Sequence, residues 1–122
     1  PALARALLPW LFSDSLLGDA RARERSARGL AAILSRVPAA TLARSAAGLR
    51  GWSGTRGADL GKVAVPVLVI AGAADLLTPD AASVAAAIPG ARLLVVPQAG
   101  HALAIEAADV INPAIRSHLE SA

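Results

Sequence analysis

The stretch VPVLVIAGAADLLTPDAASVAAAIPGARLLVVPQ, residues 65–98, decides the fold. Its two ends, residues 65–72 and 91–98, are apolar runs that do not alternate with polar residues, which is typical of strands buried on both faces of a parallel sheet. Between them, Thr78 is a candidate N-cap, Pro79 a candidate first helical residue, and a Pro-Gly pair would end the helix. The stretch therefore predicts a strand, a helix and a second strand parallel to the first.

Asp75 and His101 are the candidate functional residues, one beyond the end of each predicted strand. Each lies five residues past a strand residue, Ile70 and Val96 respectively. Neighbouring parallel strands place their carboxyl ends at one edge, where open α/β sheets carry their sites. At a strand spacing of about 4.8 Å an Asp–His hydrogen bond is feasible, and it would leave the other ring nitrogen as a base. Either residue alone would suggest only a turn cap or a loop residue; the matched offsets favour a site.

The first half of the chain has apolar residues at helical spacing. Asp19 is a candidate N-cap for a helix over about residues 20–35, whose buried face would include Ile33. Thr41 would cap a second helix over about residues 42–50. This half is therefore predicted to be helical throughout.

A glycine-rich connection over residues 51–61 divides the chain. We expect residues 1–57 to form a helical unit and residues 58–122 to contain the strands. Two parallel strands do not make a stable sheet alone, so the sequence predicts either part of a larger fold or a companion chain that supplies the missing strands. The chain begins at Pro1 and contains no methionine, so residue 1 is not expected to be the start of the gene product.

Composition excludes several classes of protein. The chain has 122 residues, of which 55% are hydrophobic and 17% charged, so it is not disordered. It has no cysteine and only two histidines, His101 and His118, which excludes a disulfide scaffold and a zinc site with several His ligands. The net charge of +3 comes from arginines dispersed along predicted helices, and there are only two Trp and one Phe. No nucleic-acid partner is therefore expected.

No membrane association is expected from the sequence. The longest apolar run, residues 63–74, is too short to span a bilayer, which takes about 20 residues. The stretch PALARALLPWLF at the amino end lacks the basic region of a signal peptide and is interrupted by Arg5 and Pro9. We expect a cytoplasmic protein.

The segment ADLGKVAVPVLVIAGAADLLTPDAASVAAAIPGARLLVVPQAGHALAIEAADVINPAIRSHL, residues 58–119, resembles the carboxyl-terminal half of the α/β-hydrolase superfamily. In that family a P-x-L-v-i-x-G-x-x-D-x-x-x-P segment carries the acid of the catalytic triad, which is Asp75 here. The family's a-G-H carries the general base, which is His101, and the Glu that often follows corresponds to Glu106. Residues 1–56 resemble the helical cap that many members insert before this segment.

The resemblance implies a hydrolase of ester or lactone bonds that uses a Ser-His-Asp triad. Enol-lactonase-like, small-ester-hydrolase-like and perhydrolase-like members are the most similar. The G-x-S-x-G nucleophile elbow and its oxyanion loop are missing. The nearest string, GWSGT at residues 51–55, has Thr55 in place of the second glycine and follows a helical pattern, so Ser53 is not expected to be the nucleophile. This chain alone is expected to be inactive, its partners being a small ester or lactone and a segment that supplies the serine. No cofactor or metal is implied.

Other functions stay open at this point. The complete protein could use an aspartate nucleophile, as dehalogenases and epoxide hydrolases of the superfamily do. It could be an acyltransferase or a cofactor-free perhydrolase, or a non-catalytic remnant that serves as an interaction module. The aromatic residues Trp10, Phe12 and Trp52 are expected to be packing residues.

Overall fold

The computed structural model describes residues 2–52 and 56–121. The first half is helical and comprises α1 (Ala2–Leu11), α2 (Asp14–Gly18), α3 (Ala20–Leu34) and α4 (Ala39–Trp52). A short 3-10 helix, Gly57–Lys62, precedes the second half, which comprises β1 (Leu68–Gly72), α5 (Ala81–Ala87), β2 (Arg92–Val96), α6 (Leu103–Glu106) and α7 (Ala108–Ser121). Within the described ranges, no helix is both long enough and apolar enough to cross a membrane.

Strands β1 and β2 form a parallel pair, with Leu68 opposite Arg92 and Gly72 opposite Val96. Helix α5 lies between them in the chain and contacts both, so the predicted strand, helix and strand are confirmed. The helix begins at Ala81, later than the predicted start.

The start of α5 differs from the prediction because Thr78 has another partner. Its hydroxyl donates a hydrogen bond to the Asp75 carboxylate and does not cap the helix. Asp80 takes the N-cap position, and its side chain makes no capping hydrogen bond. Thr78, which was predicted to be the N-cap of this helix, therefore belongs to the candidate site.

The sheet is covered unevenly. On one face, Ile70, Leu94 and Val96 pack with Ile111 of α7 in an apolar cluster. On the other face, Leu93 is 39% and Val95 49% exposed, because α5 has only seven residues and its sequence, AASVAAA, is mostly alanine. The expectation that both strands are buried on both faces is therefore not met by the described part of this chain.

A second apolar cluster joins the helices of the first half. Leu8 and Phe12 are buried against Ala27 of α3, and Ala102 packs on the same cluster from the far end of the chain. Ala102 directly follows His101, so the first half of the chain reaches the candidate site.

Helix α3 begins where the sequence predicts, since the Asp19 Oδ1 accepts hydrogen bonds from the backbone N–H groups of Arg21 (2.7 Å) and Ala22 (3.1 Å). Those two bonds lower the pKa of Asp19. Its predicted buried face is partly wrong, because Ala27 is buried while Ile33 is 62% exposed.

Helix α4 begins at Ala39, before the predicted Thr41, and continues through Gly51. The carbonyl of Pro38 accepts the backbone N–H groups of Thr41 and Leu42. A proline has a backbone angle suited to the first turn of a helix and no N–H to satisfy there, so Pro38 replaces the predicted threonine cap.

Candidate functional site

Asp75 and His101 lie at the carboxyl edge of the two strands. Asp75 follows the end of β1 by three residues and His101 follows the end of β2 by five, so their distances from the true strand ends are unequal. Two backbone hydrogen bonds join the loops that follow the strands. The N–H of Ala73 donates to the carbonyl of Val96, and the N–H of Ala74 donates to the carbonyl of Ala99, both at 2.9 Å. These bonds bring the loops side by side despite the unequal offsets.

The Asp75 carboxylate is nearly closed to solvent, with 5% of its side chain exposed. Oδ1 accepts the backbone N–H groups of Leu77 (2.8 Å) and Thr78 (3.1 Å). Oδ2 accepts the Thr78 hydroxyl and lies 3.0 Å from the His101 Nδ1. The two backbone N–H groups and the Thr78 hydroxyl all donate to this carboxylate, which is the environment of an ionised acid.

Burial acts to raise the pKa of Asp75, but hydrogen bonding acts more strongly in the other direction. The Thr78 hydroxyl, the His101 ring and the backbone N–H groups of Leu77 and Thr78 together lower the pKa from 3.8 to about 2. Asp75 is therefore a carboxylate at neutral pH. A buried carboxylate favours a ring nitrogen that carries a proton, so Nδ1 of His101 is the donor.

The His101 ring is 39% exposed. With the proton of the neutral ring on Nδ1, its Nε2 carries a free lone pair. Across residues 2–52 and 56–121, no group forms a hydrogen bond with Nε2. The arrangement is a buried carboxylate, an oriented imidazole and an available basic nitrogen, which together can accept a proton from a hydroxyl group.

Two glycines allow the loops to approach this closely. A Cβ atom on Gly72 would lie 2.2 Å from the carbonyl oxygen of Ala99, and one on Gly100 would lie 2.8 Å from the backbone nitrogen of Ser13. Neither glycine has a positive φ; among the described glycines only Gly90 does. Absence of a side chain, and not a special backbone angle, is what these positions require.

Thr78 and Ser13 are site residues that sequence reasoning missed. The spacing Asp-x-x-Thr after a strand could have indicated the turn in which Thr78 binds Asp75. Ser13 gives no such signal, since it contacts Glu106, 93 residues later in the chain. Ser53 lies outside the described residues. Of the aromatic residues predicted to pack, Phe12 is buried, whereas Trp10 and Trp52 are 52% and 61% exposed.

An open groove of about 450 Å³ lies beside the acid and is lined by Ala74 and Leu76, the two neighbours of Asp75, and by Pro9 and Phe12 of the first half. The helical half therefore forms one wall of the space next to the site. In the part of the chain that the structure describes, no three His, Cys, Asp or Glu side chains are grouped so that they could hold a metal ion.

Two solved structures from Mycobacterium tuberculosis resemble this chain. One is that of Rv0554, with 30% identity and a TM-score of 0.79 over 98% of this chain and 43% of the other. The second is titled "Putative non-heme bromoperoxidase BpoC", from the H37Rv strain, with 26% identity and a TM-score of 0.72 over 98% of this chain and 44% of the other. The chain thus spans less than half the length of each. No curated protein gives a significant match.

The family comparison agrees with the fold and covers both halves of the chain. Residues 1–114 match the model of the alpha/beta hydrolase family. The parallel strand pair and the helices around it correspond to the carboxyl-terminal portion of that fold. On this evidence the chain belongs to the alpha/beta hydrolase family.

Proposed function

We propose that this chain supplies the acid and base of a hydrolase that cleaves ester or lactone bonds, with its serine nucleophile on a segment outside these 122 residues. The observation that carries the proposal is the 3.0 Å contact between the buried Asp75 carboxylate and the Nδ1 of a half-exposed His101. His101 is the general base, and Asp75 holds its ring in the required tautomer.

In the proposed reaction, the serine hydroxyl attacks the carbonyl carbon and its proton passes to Nε2 of His101. The imidazolium is stabilised by Asp75, which stays ionised because its pKa is about 2. Nε2 then returns the proton to the leaving alkoxide, and an acyl-enzyme remains. A water molecule, deprotonated by the same nitrogen, releases the acid and restores the serine.

We propose one partner in addition to the small ester or lactone. It is a polypeptide segment that carries the nucleophile and further strands, on the same natural chain or on a companion chain. It is supported by the share of the two similar structures that this chain spans, 43% and 44%. Within this chain, we propose the helical unit of residues 1–57 as a cap, since its residues Pro9 and Phe12 line the groove next to Asp75. The cytoplasmic location expected from the sequence stays a prediction.

The test combines this chain with a segment carrying the remaining part of the fold and measures hydrolysis of a panel of aryl esters and lactones. Asp75→Asn is expected to lower kcat by about 10⁴-fold, since an amide in place of the carboxylate favours the wrong tautomer. Asp80→Asn is the matched control, because the Asp80 side chain makes no capping bond, and it should leave kcat unchanged.

The chain by itself should hydrolyse the same esters no faster than its Ser53→Ala variant. Stoichiometric labelling of Ser53 by a serine-reactive phosphonate would contradict the proposed placement of the nucleophile. The proposal is wrong if the combined protein turns over no ester or lactone. If Asp75→Asn has no effect on an activity that is found, a non-catalytic role of Asp75 is favoured.

A second candidate is a perhydrolase activity, in which hydrogen peroxide replaces water in the attack on the acyl group and a peracid is released. The similarity to a structure titled as a bromoperoxidase favours it. It needs the same His101 and Asp75. Peracid formation from acetate and hydrogen peroxide, measured beside ester hydrolysis, distinguishes the two activities.

A further inference from the structure

The backbone on both sides of His101 is held by groups outside its own loop. The N–H of Gly100 donates to the Glu106 Oε1 at 3.0 Å. The N–H of Ala102 donates to the carbonyl of Leu11, at the end of α1, at 2.8 Å. His101 therefore sits between two anchored residues, and one of the anchors comes from the helical half.

The Glu106 carboxylate also binds the junction between α1 and α2. It accepts the backbone N–H of Ser13, at 3.2 Å to Oε1 and 3.1 Å to Oε2, and the Ser13 hydroxyl. Ser13 is 4% exposed, and its Oγ also accepts the Leu16 N–H as the N-cap of α2. One carboxylate thus joins the loop that carries His101 to a helix junction 93 residues earlier in the chain.

The Glu106 carboxylate lies in a closely packed region. A Cβ atom placed on Gly100 would lie 2.8 Å from the Ser13 nitrogen, 2.9 Å from the Glu106 Oε1 and 2.9 Å from the Phe12 carbonyl carbon. The His101 loop, the Glu106 side chain and the α1–α2 junction are therefore in direct contact. A shift of one of them must displace the others, because close-packed contacts transmit displacement.

We propose that Glu106 and Ser13 are positioning residues for His101, holding its backbone so that Nδ1 reaches the Asp75 carboxylate. This inference rests on the proposed function only in naming His101 as the base. Asp75 fixes the ring from one side, but a ring hydrogen bond of 3.0 Å also requires the backbone of His101 to stay in place. The helical half thereby contributes to the position of the base through the backbone on either side of it.

The test is the tautomer of His101, read from long-range ¹H–¹⁵N spectra of the ¹⁵N-histidine chain at alkaline pH. The wild-type ring should carry its proton on Nδ1. In Ser13→Ala and Glu106→Ala the Nδ1–H form should lose its dominance and a mixture of tautomers should appear. Glu106→Gln, which keeps one acceptor oxygen, should give a smaller shift. His118 on α7 is the internal reference, and Glu120→Gln at the end of the same helix is the matched control.

A purely structural role for the pair would lower the free energy of unfolding but leave the tautomer of the folded molecules unchanged. Folded Ser13 and Glu106 variants with the wild-type tautomer ratio would therefore overturn the inference. If the variants do not fold, hydrogen exchange on the wild-type chain decides: unprotected amides at Gly100 and Ala102 would also overturn it, and protected ones support it. No substrate is used, so absence of the proposed hydrolysis would leave these readouts unaffected.

Discussion

Asp75 is the residue at which the opposing forces in the site can be compared directly. Burial favours the protonated acid, while donors from Thr78, His101 and Leu77 favour the carboxylate, and the donors dominate. Hydrogen bonds to a charged group in a poorly solvated place are strong enough for this. The result is a carboxylate behind the His101 ring that stays ionised until the pH falls to about 2.

We predict that the pKa of Asp75, measured by the carboxyl ¹³C shift during acid titration, is about 2. Thr78→Val removes the hydroxyl donor and should raise this pKa back toward 3.8. Thr41→Val, which removes a hydroxyl from α4, should leave it unchanged. A Thr78→Val chain with the wild-type titration curve would show that the hydroxyl does not stabilise the charge.

The same lowered pKa predicts a pH dependence of stability. Because folding lowers the pKa, the unfolded state binds more protons between the two pKa values, so stability rises with pH there. The contribution of Asp75, about 2 kcal/mol, should be full above about pH 4 and be lost as the pH falls through about 2. Unfolding at a series of pH values, for the wild type and Asp75→Asn, measures it; a pH-independent difference would contradict it.

Two glycines in the site should not tolerate a methyl group. Gly72→Ala would place a Cβ 2.2 Å from a backbone oxygen, and the required shift should cost about 1–3 kcal/mol of folding free energy. Gly100→Ala should behave similarly. Gly48→Ala in α4 is the matched control: nothing lies within 4 Å of its Cβ position, so it should stabilise by about 0.5–1 kcal/mol. Chemical denaturation of the three variants measures these differences.

At the level of elements, α3 and α5 each have an aspartate at the N-cap position, and the two aspartates differ in their backbone conformation. The Asp19 carboxylate accepts two backbone N–H groups at the start of α3, whereas Asp80 precedes α5 without a side-chain bond. The difference arises because α3 starts from an extended residue, with φ −77° and ψ 113° at Asp19, while Asp80 has φ −90° and ψ 17°. Only the extended conformation directs the side chain to the free N–H groups of the helix.

We predict that Asp19→Ala lowers the free energy of unfolding by more than Asp80→Ala does, because it removes the acceptor of two backbone N–H groups at the start of α3. Asp80→Ala should change it by less than about 0.5 kcal/mol, as ordinary surface substitutions do. Thermal or urea unfolding of the two variants measures this contrast. Equal losses in the two variants would show that the capping bonds of Asp19 do not stabilise α3.

At the level of the whole molecule, the sheet has more apolar surface than this chain covers. Leu93 and Val95 of β2 are exposed on one face, and the described sheet has only two strands. Strand edges with unpaired backbone groups and apolar faces favour pairing with another chain. The proposed companion segment would add its strands along an edge of this sheet, next to the exposed face.

We therefore predict that the isolated chain self-associates or aggregates, as measured by size-exclusion chromatography with light scattering. Val95→Lys, at a position 49% exposed on the uncovered face, should weaken this association. Leu119→Lys, at a position 71% exposed on α7 and outside the sheet, is the control and should not. A cooperatively unfolding monomer of 12.2 kDa that binds no apolar dye would show that the chain is a self-sufficient domain.

The sequence by itself determined the order of the central elements and the two residues that meet at the sheet edge. Apolar runs bounded by Pro and Gly indicate strands because short continuous apolar segments are typical of parallel sheets, and parallel strands bring their carboxyl ends together whatever the loop lengths. For this reason Asp75 and His101 could be paired although their offsets from the true strand ends are unequal. Asp19 could be identified as a cap because a capping bond joins neighbours in the sequence.

Only the tertiary structure decided what surrounds that pair. The contact of Ser13 with Glu106 joins residues 93 positions apart, and no local pattern encodes a contact at that separation. The partner of Thr78 was decided by the position of the Asp75 carboxylate, which competes with the helix start for the hydroxyl. The exposure of Val95 depends on α5, whose seven mostly alanine residues cover little of that face. Burial on both faces is a property of the whole sheet, so an apolar strand sequence cannot specify it alone.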